Sequence, residues 1–114
     1  MKEEWKVCNV QTDHILDGEP ESARCCAIAL AMEQIVGQDS KYNGYGPVIS
    51  NAKHMHLEHC DDEELPISID VYEEDRKEVD DFIWEFDMTY GDATAPLPLP
   101  MRFRYRIIDK KDEK

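Results

Sequence analysis

Basic residues are scarce in this chain of 114 residues: 13 Lys and Arg stand against 26 Asp and Glu, a formal net charge of −13. Such a chain repels phosphate backbones and anionic lipid surfaces, so neither nucleic acid nor membrane is an expected direct partner. Long apolar runs are missing too, and nothing approaches the roughly 20 residues of a membrane-spanning helix. Met1-Lys2-Glu3-Glu4-Trp5-Lys6 lacks the basic start and apolar run of a signal peptide. Glycine is sparse, and Gly44 and Gly46 neither follow a strand nor open a helix, so no phosphate-cradling loop is expected. No Gly-x-Ser-x-Gly or His-Glu-x-x-His motif occurs, and no cofactor is implied. Acids are abundant, but abundance gives no geometry, so no catalytic carboxylate pair is singled out.

What remains fits a soluble globular domain: 41% apolar and 34% charged residues, at a length that suits one domain spanning 1–114. Four cysteines are present, Cys8, Cys25, Cys26 and Cys60. Adjacent Cys25 and Cys26 are awkward for a disulfide framework, and together with the missing export signal they predict free thiols and a cytoplasmic location. Free cysteine commonly packs as a small hydrophobe, the expected state of Cys8 and Cys26.

Periodicity predicts six elements. Residues 5–10 form a short first strand, followed by turn and loop through Asp17-Gly18-Glu19-Pro20. Ser22 caps a helix to about Val36, whose Ile28, Ala31, Met32 and Ile35 recur at helical spacing. A strand follows at about 47–57, with a bend near Asn51, and then an acidic turn at 61–64. Pro66 opens the cleanest strand, with Ile67, Ile69 and Val71 on one side. Asp75 and Glu78 have capping-box spacing, and the helix after them carries Val79, Phe82, Ile83, Phe86 and Tyr90 up to Gly91. Three prolines in 95–100 make an extended linker. In the last strand, 101–108, Phe103, Tyr105 and Ile107 alternate with Arg102, Arg104 and Arg106, and a charged tail, 109–114, frays beyond it. The β-α-β-β-α-β order predicts an α+β fold, a ferredoxin-like split βαβ with two helices on one face of a small four-stranded sheet.

His14-Ile15-Leu16-Asp17-Gly18, then Cys26-Ala27-Ile28-Ala29-Leu30-Ala31, with Phe82 through Phe86-Asp87 and a late strand after Pro100, resembles a family of small uncharacterised phage-type proteins. Their pattern is His-Ile, two residues, Gly, then Cys-Pro-(Ile/Val)-Ala-Leu-Ala. This chain has Ala27 at the proline, a longer middle and many more acids. The family carries no established activity. The resemblance implies a phage or prophage product working in a bacterial host's cytoplasm.

The charge is concentrated. From Asp61 to Asp92 there are fourteen acids against Arg76 and Lys77, a local net of −12. Asp61, Asp62, Glu63 and Glu64 in the turn, with Glu74, Asp81 and Glu85 on the outer side of the second helix, form the candidate partner surface. One reading is a plain solvated face. The other is an acidic surface that attracts a basic nucleic-acid-binding groove on a host protein, as inhibitors that imitate nucleic acid do. Arg102, Arg104 and Arg106 form a basic row, expected to pair with acids across the sheet, Asp70 among them.

Two further constellations carry chemistry. Cys26 near a helix start, with His14 as base, could form a nucleophilic site, against a buried structural cysteine. His54, His56, His59 and Cys60 supply four zinc-ligand types within seven residues, at no standard spacing; the alternative is a polar strand. A binding and inhibiting protein, rather than an enzyme or a zinc-stabilised module, is the leading expectation.

Overall fold

Strong two-residue alternation, with β-branched residues on one side, makes Ile67–Val71 a strand whose Ile67, Ile69 and Val71 are buried while Ser68 faces out. A computed structural model describes residues 5–61, 64–92 and 94–108, and shows the neighbours that this strand acquires. In chain order the elements are β1 (Lys6–Val10), α1 (Thr12–Asp17), α2 (Ala27–Val36), β2 (Tyr45–Asn51), β3 (His54–His59), β4 (Ile67–Val71), α3 (Arg76–Asp87) and β5 (Met101–Ile108). Single 3₁₀ turns at Ser40–Tyr42 and Glu73–Asp75 precede β2 and α3.

The sheet has five strands in the order β1-β5-β4-β3-β2, every neighbouring pair antiparallel. This corrects the expected four-stranded ferredoxin-like arrangement. The region 47–57 is not one bent strand. At Asn51 the chain reverses through Ala52 and Lys53, so two strands form a hairpin, with Ile49 opposite Met55 and Pro47 opposite Leu57. No parallel pair exists among the described strands, so there is no split βαβ crossover.

The sheet curls into a half-barrel, and α2 is what it curls around. This helix packs against both β1 and β2, the two edge strands, while α1 covers a further side of it. Ala27, Ile28, Ala29, Ala31, Met32 and Val36 are all buried, far more than one helical stripe. A helix apolar almost all round is what a site enclosed on several sides requires. The inner faces of the strands add Cys8, Met55, Leu57, Ile69, Phe103 and Tyr105 to the same core.

Local details shift several boundaries. Residues 12–17, expected as loop, form α1; its start is held by the Gln11 N–H donating to His14 Nδ1 at 2.9 Å. Helix α2 starts at Ala27 with Cys26 at the N-cap, because Ser22 is spent on a separate turn, its Oγ accepting from Cys25 N–H at 3.1 Å. Gly18 allows α1 to meet α2: a Cβ there would lie 2.7 Å from Ala27 N and 2.8 Å from His14 O. Asp75 stands at the N-cap of α3 but its carboxylate does not cap the helix, since Arg104 occupies it. Helix α3 stops at Asp87, and Tyr90, expected on its buried side, is exposed in the turn beyond. The tail 109–114 lies outside the described residues.

Candidate functional site

Two apolar stripes run along α3. Val79, Phe82 and Phe86 are the inner one and belong to the core. The outer one comprises Ile83, Trp84 and Met88, with Trp84 65% and Met88 58% exposed. Trp84 and Met88 are four residues apart and so adjacent on the helix surface. Asp80, Ile83, Trp84, Asp87 and Met88 together line one side of a cleft of about 400 Å³, faced by Glu21 and Asn51. A second cleft, of about 630 Å³, continues from Trp84 and Met88 to Leu97 in the proline-rich segment.

The walls of the first cleft are fixed by backbone hydrogen bonds to acids. Asp80 Oδ1 accepts from Ala52 N–H at 2.8 Å, at the tip of the β2–β3 hairpin. Asp87 Oδ1 accepts from Glu21 N–H at 2.8 Å. Glu21 has φ +60°, a left-handed backbone that a glutamate adopts at a cost, and the bond to Asp87 helps to hold it. Two carboxylates of α3, Asp80 in its second turn and Asp87 at its last residue, thus clamp it to the hairpin tip and to the segment before α2.

The acids of 61–92 divide by this criterion. Asp70 accepts from Arg76 at 3.2 Å and from Arg106 at 3.0 Å, while Asp75 holds Arg104. Asp81 pairs with Lys77 at 2.9 Å, and Asp92 accepts from Thr94, which lowers its carboxyl below the ordinary value. Glu85 is exposed and has no hydrogen bond or ion pair among the described residues. Much of the acidity therefore organises the fold, while Glu85 on α3 stays exposed.

The candidate partner surface draws on two stretches of the chain, one before and one after β4. Asp61 and Glu64 precede β4, whereas Glu74, Asp81 and Glu85 follow it. Asp61 and Glu64 share a turn, with Glu64 N–H on Asp61 O at 3.0 Å; Asp62 and Glu63 lie outside the described residues.

In the arginine row, the expected cross-sheet pairing with Asp70 is made by Arg106, while Arg104 takes Asp75. Arg106 pairs with Asp70 directly across from it, and its guanidinium lies 4.6 Å from the Trp5 ring centroid. Arg104 stacks 3.9 Å over Tyr72, and Trp5 meets Tyr72 edge-on at 5.0 Å. These contacts tie β1, β4 and β5 together on the convex side of the sheet.

Cys26 and His14 are both buried but are engaged apart. His14 Nδ1 takes the Gln11 N–H, so Nε2 carries the proton and donates to Gln34 Oε1 at 2.7 Å. Both ring nitrogens are committed, and Gln34 lies eight residues along α2 from Cys26, about 12 Å of helix. Burial pushes the Cys26 thiol up, against the backbone N–H groups of Ile28 and Ala29 that pull it down. Burial of both side chains and the bonds of His14 to Gln11 and Gln34 give each a packing role. Among the described residues, no group of three or more His, Cys, Asp or Glu side chains is placed to hold a metal. Alternation puts His54 and His56 on one face of β3 and His59 on the other, where it meets Tyr45 edge-on at 4.7 Å. His54 bonds Asn51, His56 bonds Glu58, and Cys60 is exposed beyond the strand.

The Trp84–Met88 stripe is the part of the site that periodicity alone does not single out. An i, i+4 pair of large apolar residues flanked by Asp80 and Asp87 was its visible signal, masked by the stronger Phe82–Phe86 periodicity. Among the described residues, no helix is long and apolar enough to cross a membrane. Comparison with known proteins finds no matching family model, no matching curated protein and no matching solved structure.

Proposed function

We propose that this chain is a small acidic accessory protein that docks on a basic surface of a partner protein through the outward side of α3 and blocks it. One observation carries the reading: an exposed tryptophan, Trp84, sits on the most acidic helix of the chain, beside Asp81 and Glu85. A solvated acidic face has no use for an exposed indole, whereas tryptophan is over-represented among residues that dominate interface energies. The acids supply steering toward a basic partner and the indole supplies a buried anchor. The motif resemblance supports a phage setting, in which the partner is a bacterial host protein in the cytoplasm. A nucleic-acid-binding defence enzyme offers a basic groove of the required sign.

The test is retention of bacterial proteins on the immobilised chain at low and at high salt, against the Asp81→Lys, Glu85→Lys double variant. The expected result is a protein held by the native chain, released by salt and lost from the variant. Its release by added duplex DNA identifies the occupied surface as a nucleic-acid groove. Binding that survives charge reversal on α3 would sink the proposal.

A further inference from the structure

The outer stripe of α3 states what kind of segment would cover it. Its floor is apolar, formed by Ile83, Trp84 and Met88, and its rim is acidic, formed by Glu21, Asp80 and Asp87. Large exposed apolar patches mark interaction sites. A second copy is a poor occupant, because a two-fold contact would press the same acidic rims of two −13 chains together. A small apolar molecule would leave the rim unanswered. A protein helix with apolar side chains along one face and lysines or arginines beside them answers both, and helix-in-groove recognition has this form.

We propose that the groove beside α3 takes a lysine- or arginine-rich amphipathic helix of the partner, with an apolar side chain seated on Trp84 and Met88. This rests on the docking role of the α3 surface and specifies which element of the partner is held. The basic flanks face Asp80, Asp87 and Glu21, and the apolar anchor excludes water from the indole.

Trp5→Phe leaves Trp84 as the sole tryptophan, so its emission reports the groove directly. The probes are a synthetic helix of leucine and lysine with one apolar face, and a scrambled peptide of the same composition. The expected result is a blue shift of Trp84 emission with the amphipathic peptide and binding of the scrambled one weaker by about ten-fold. Met88→Ala weakens the amphipathic peptide by about ten-fold, as truncation of an anchor contact does, and leaves the scrambled one unchanged. Fluorescence anisotropy of labelled peptide gives the same comparison for Trp84→Ala, and circular dichroism confirms that these surface variants fold. If both peptides bind equally and Met88→Ala affects neither, charge alone governs binding: the groove inference falls and the docking surface stands. If neither peptide binds, both fall. Self-association of the native chain that Trp84→Ala abolishes also overturns the inference, since a second copy then owns the groove.

Discussion

Arg104 and Asp75 hold each other through three hydrogen bonds: Nε to Oδ2 at 2.9 Å, Nη2 to Oδ1 at 2.9 Å, and the Arg104 backbone N–H to Oδ2 at 2.8 Å. The fork fits both carboxylate oxygens at once, the geometry that makes arginine–carboxylate pairs specific. Asp75 thereby joins the start of α3 to β5, and the helix goes without its side-chain cap.

That pair sets a response to acid. Its hydrogen bonds to Arg104 hold the Asp75 carboxyl below its ordinary value. A carboxyl lowered in the folded state contributes stability that is full above the ordinary carboxylate range and is lost as pH falls through the lowered value. Urea midpoints measured down an acid series should fall more steeply for the native chain than for Asp75→Asn. The variant should start lower near neutral pH and show a flatter acid limb; parallel limbs would remove the pair from the acid response.

Gly18 separates α1 from α2 by less than a methyl group allows. Its φ of −76° is open to any residue, so the constraint is contact with Ala27 and His14 backbone and not chain conformation. Gly18→Ala should cost about 1–3 kcal/mol, the usual range for overpacking, read as a lower midpoint in thermal or urea denaturation. An unchanged midpoint would mean that α1 docks less tightly than described.

His14 serves as a buried joint. Removing its ring leaves the Gln11 N–H and the Gln34 side chain without their partners. His14→Ala should destabilise by about 1–3 kcal/mol, the loss of two hydrogen bonds worth about 0.5–1.5 kcal/mol each. A variant as stable as the native chain would count against this role and restore interest in His14 as a chemical group.

The four thiols should divide evenly. Cys25 and Cys60 are exposed; Cys8 and Cys26 are buried, and burial pushes the Cys8 thiol up to about 12. Brief iodoacetamide treatment of the folded chain should add label at Cys25 and Cys60 alone, with Cys8 and Cys26 labelled only after denaturation, as mass spectrometry of peptides can show. Fast labelling of Cys26 in the folded chain would contradict its packing role.

The parts legible in the sequence are those whose signal is local. β4 and β5 announce themselves because Ile67-Ile69-Val71 and Phe103-Tyr105 alternate without interruption. The hairpin has no local signature, because Asn51-Ala52-Lys53 carries no glycine or proline; the reversal is stabilised from outside, by Asp80 on the Ala52 N–H. α1 is too short for periodicity to register, and it is fixed by His14 contacts with its own first turn and with α2. Strand order is illegible for a different reason: β1 lies beside β5, almost the whole chain away, a relation with no trace in either strand. At the candidate site, composition located the acids on α3 but not their division of labour. Asp70, Asp75, Asp80 and Asp87 turned out to be structural, which only their partners Arg106, Arg104, Ala52 and Glu21 reveal.

The place of β5 between β1 and β4 has a consequence for folding. Lys6 pairs with Tyr105, so the first strand waits for almost the entire chain before it finds a neighbour. Until then β4 presents an open edge. Closing so long a loop is entropically slow, and contacts this distant in sequence delay folding. The local β2–β3 and β3–β4 pairings can therefore form first, and the sheet shuts last, where β5 slots between β4 and β1.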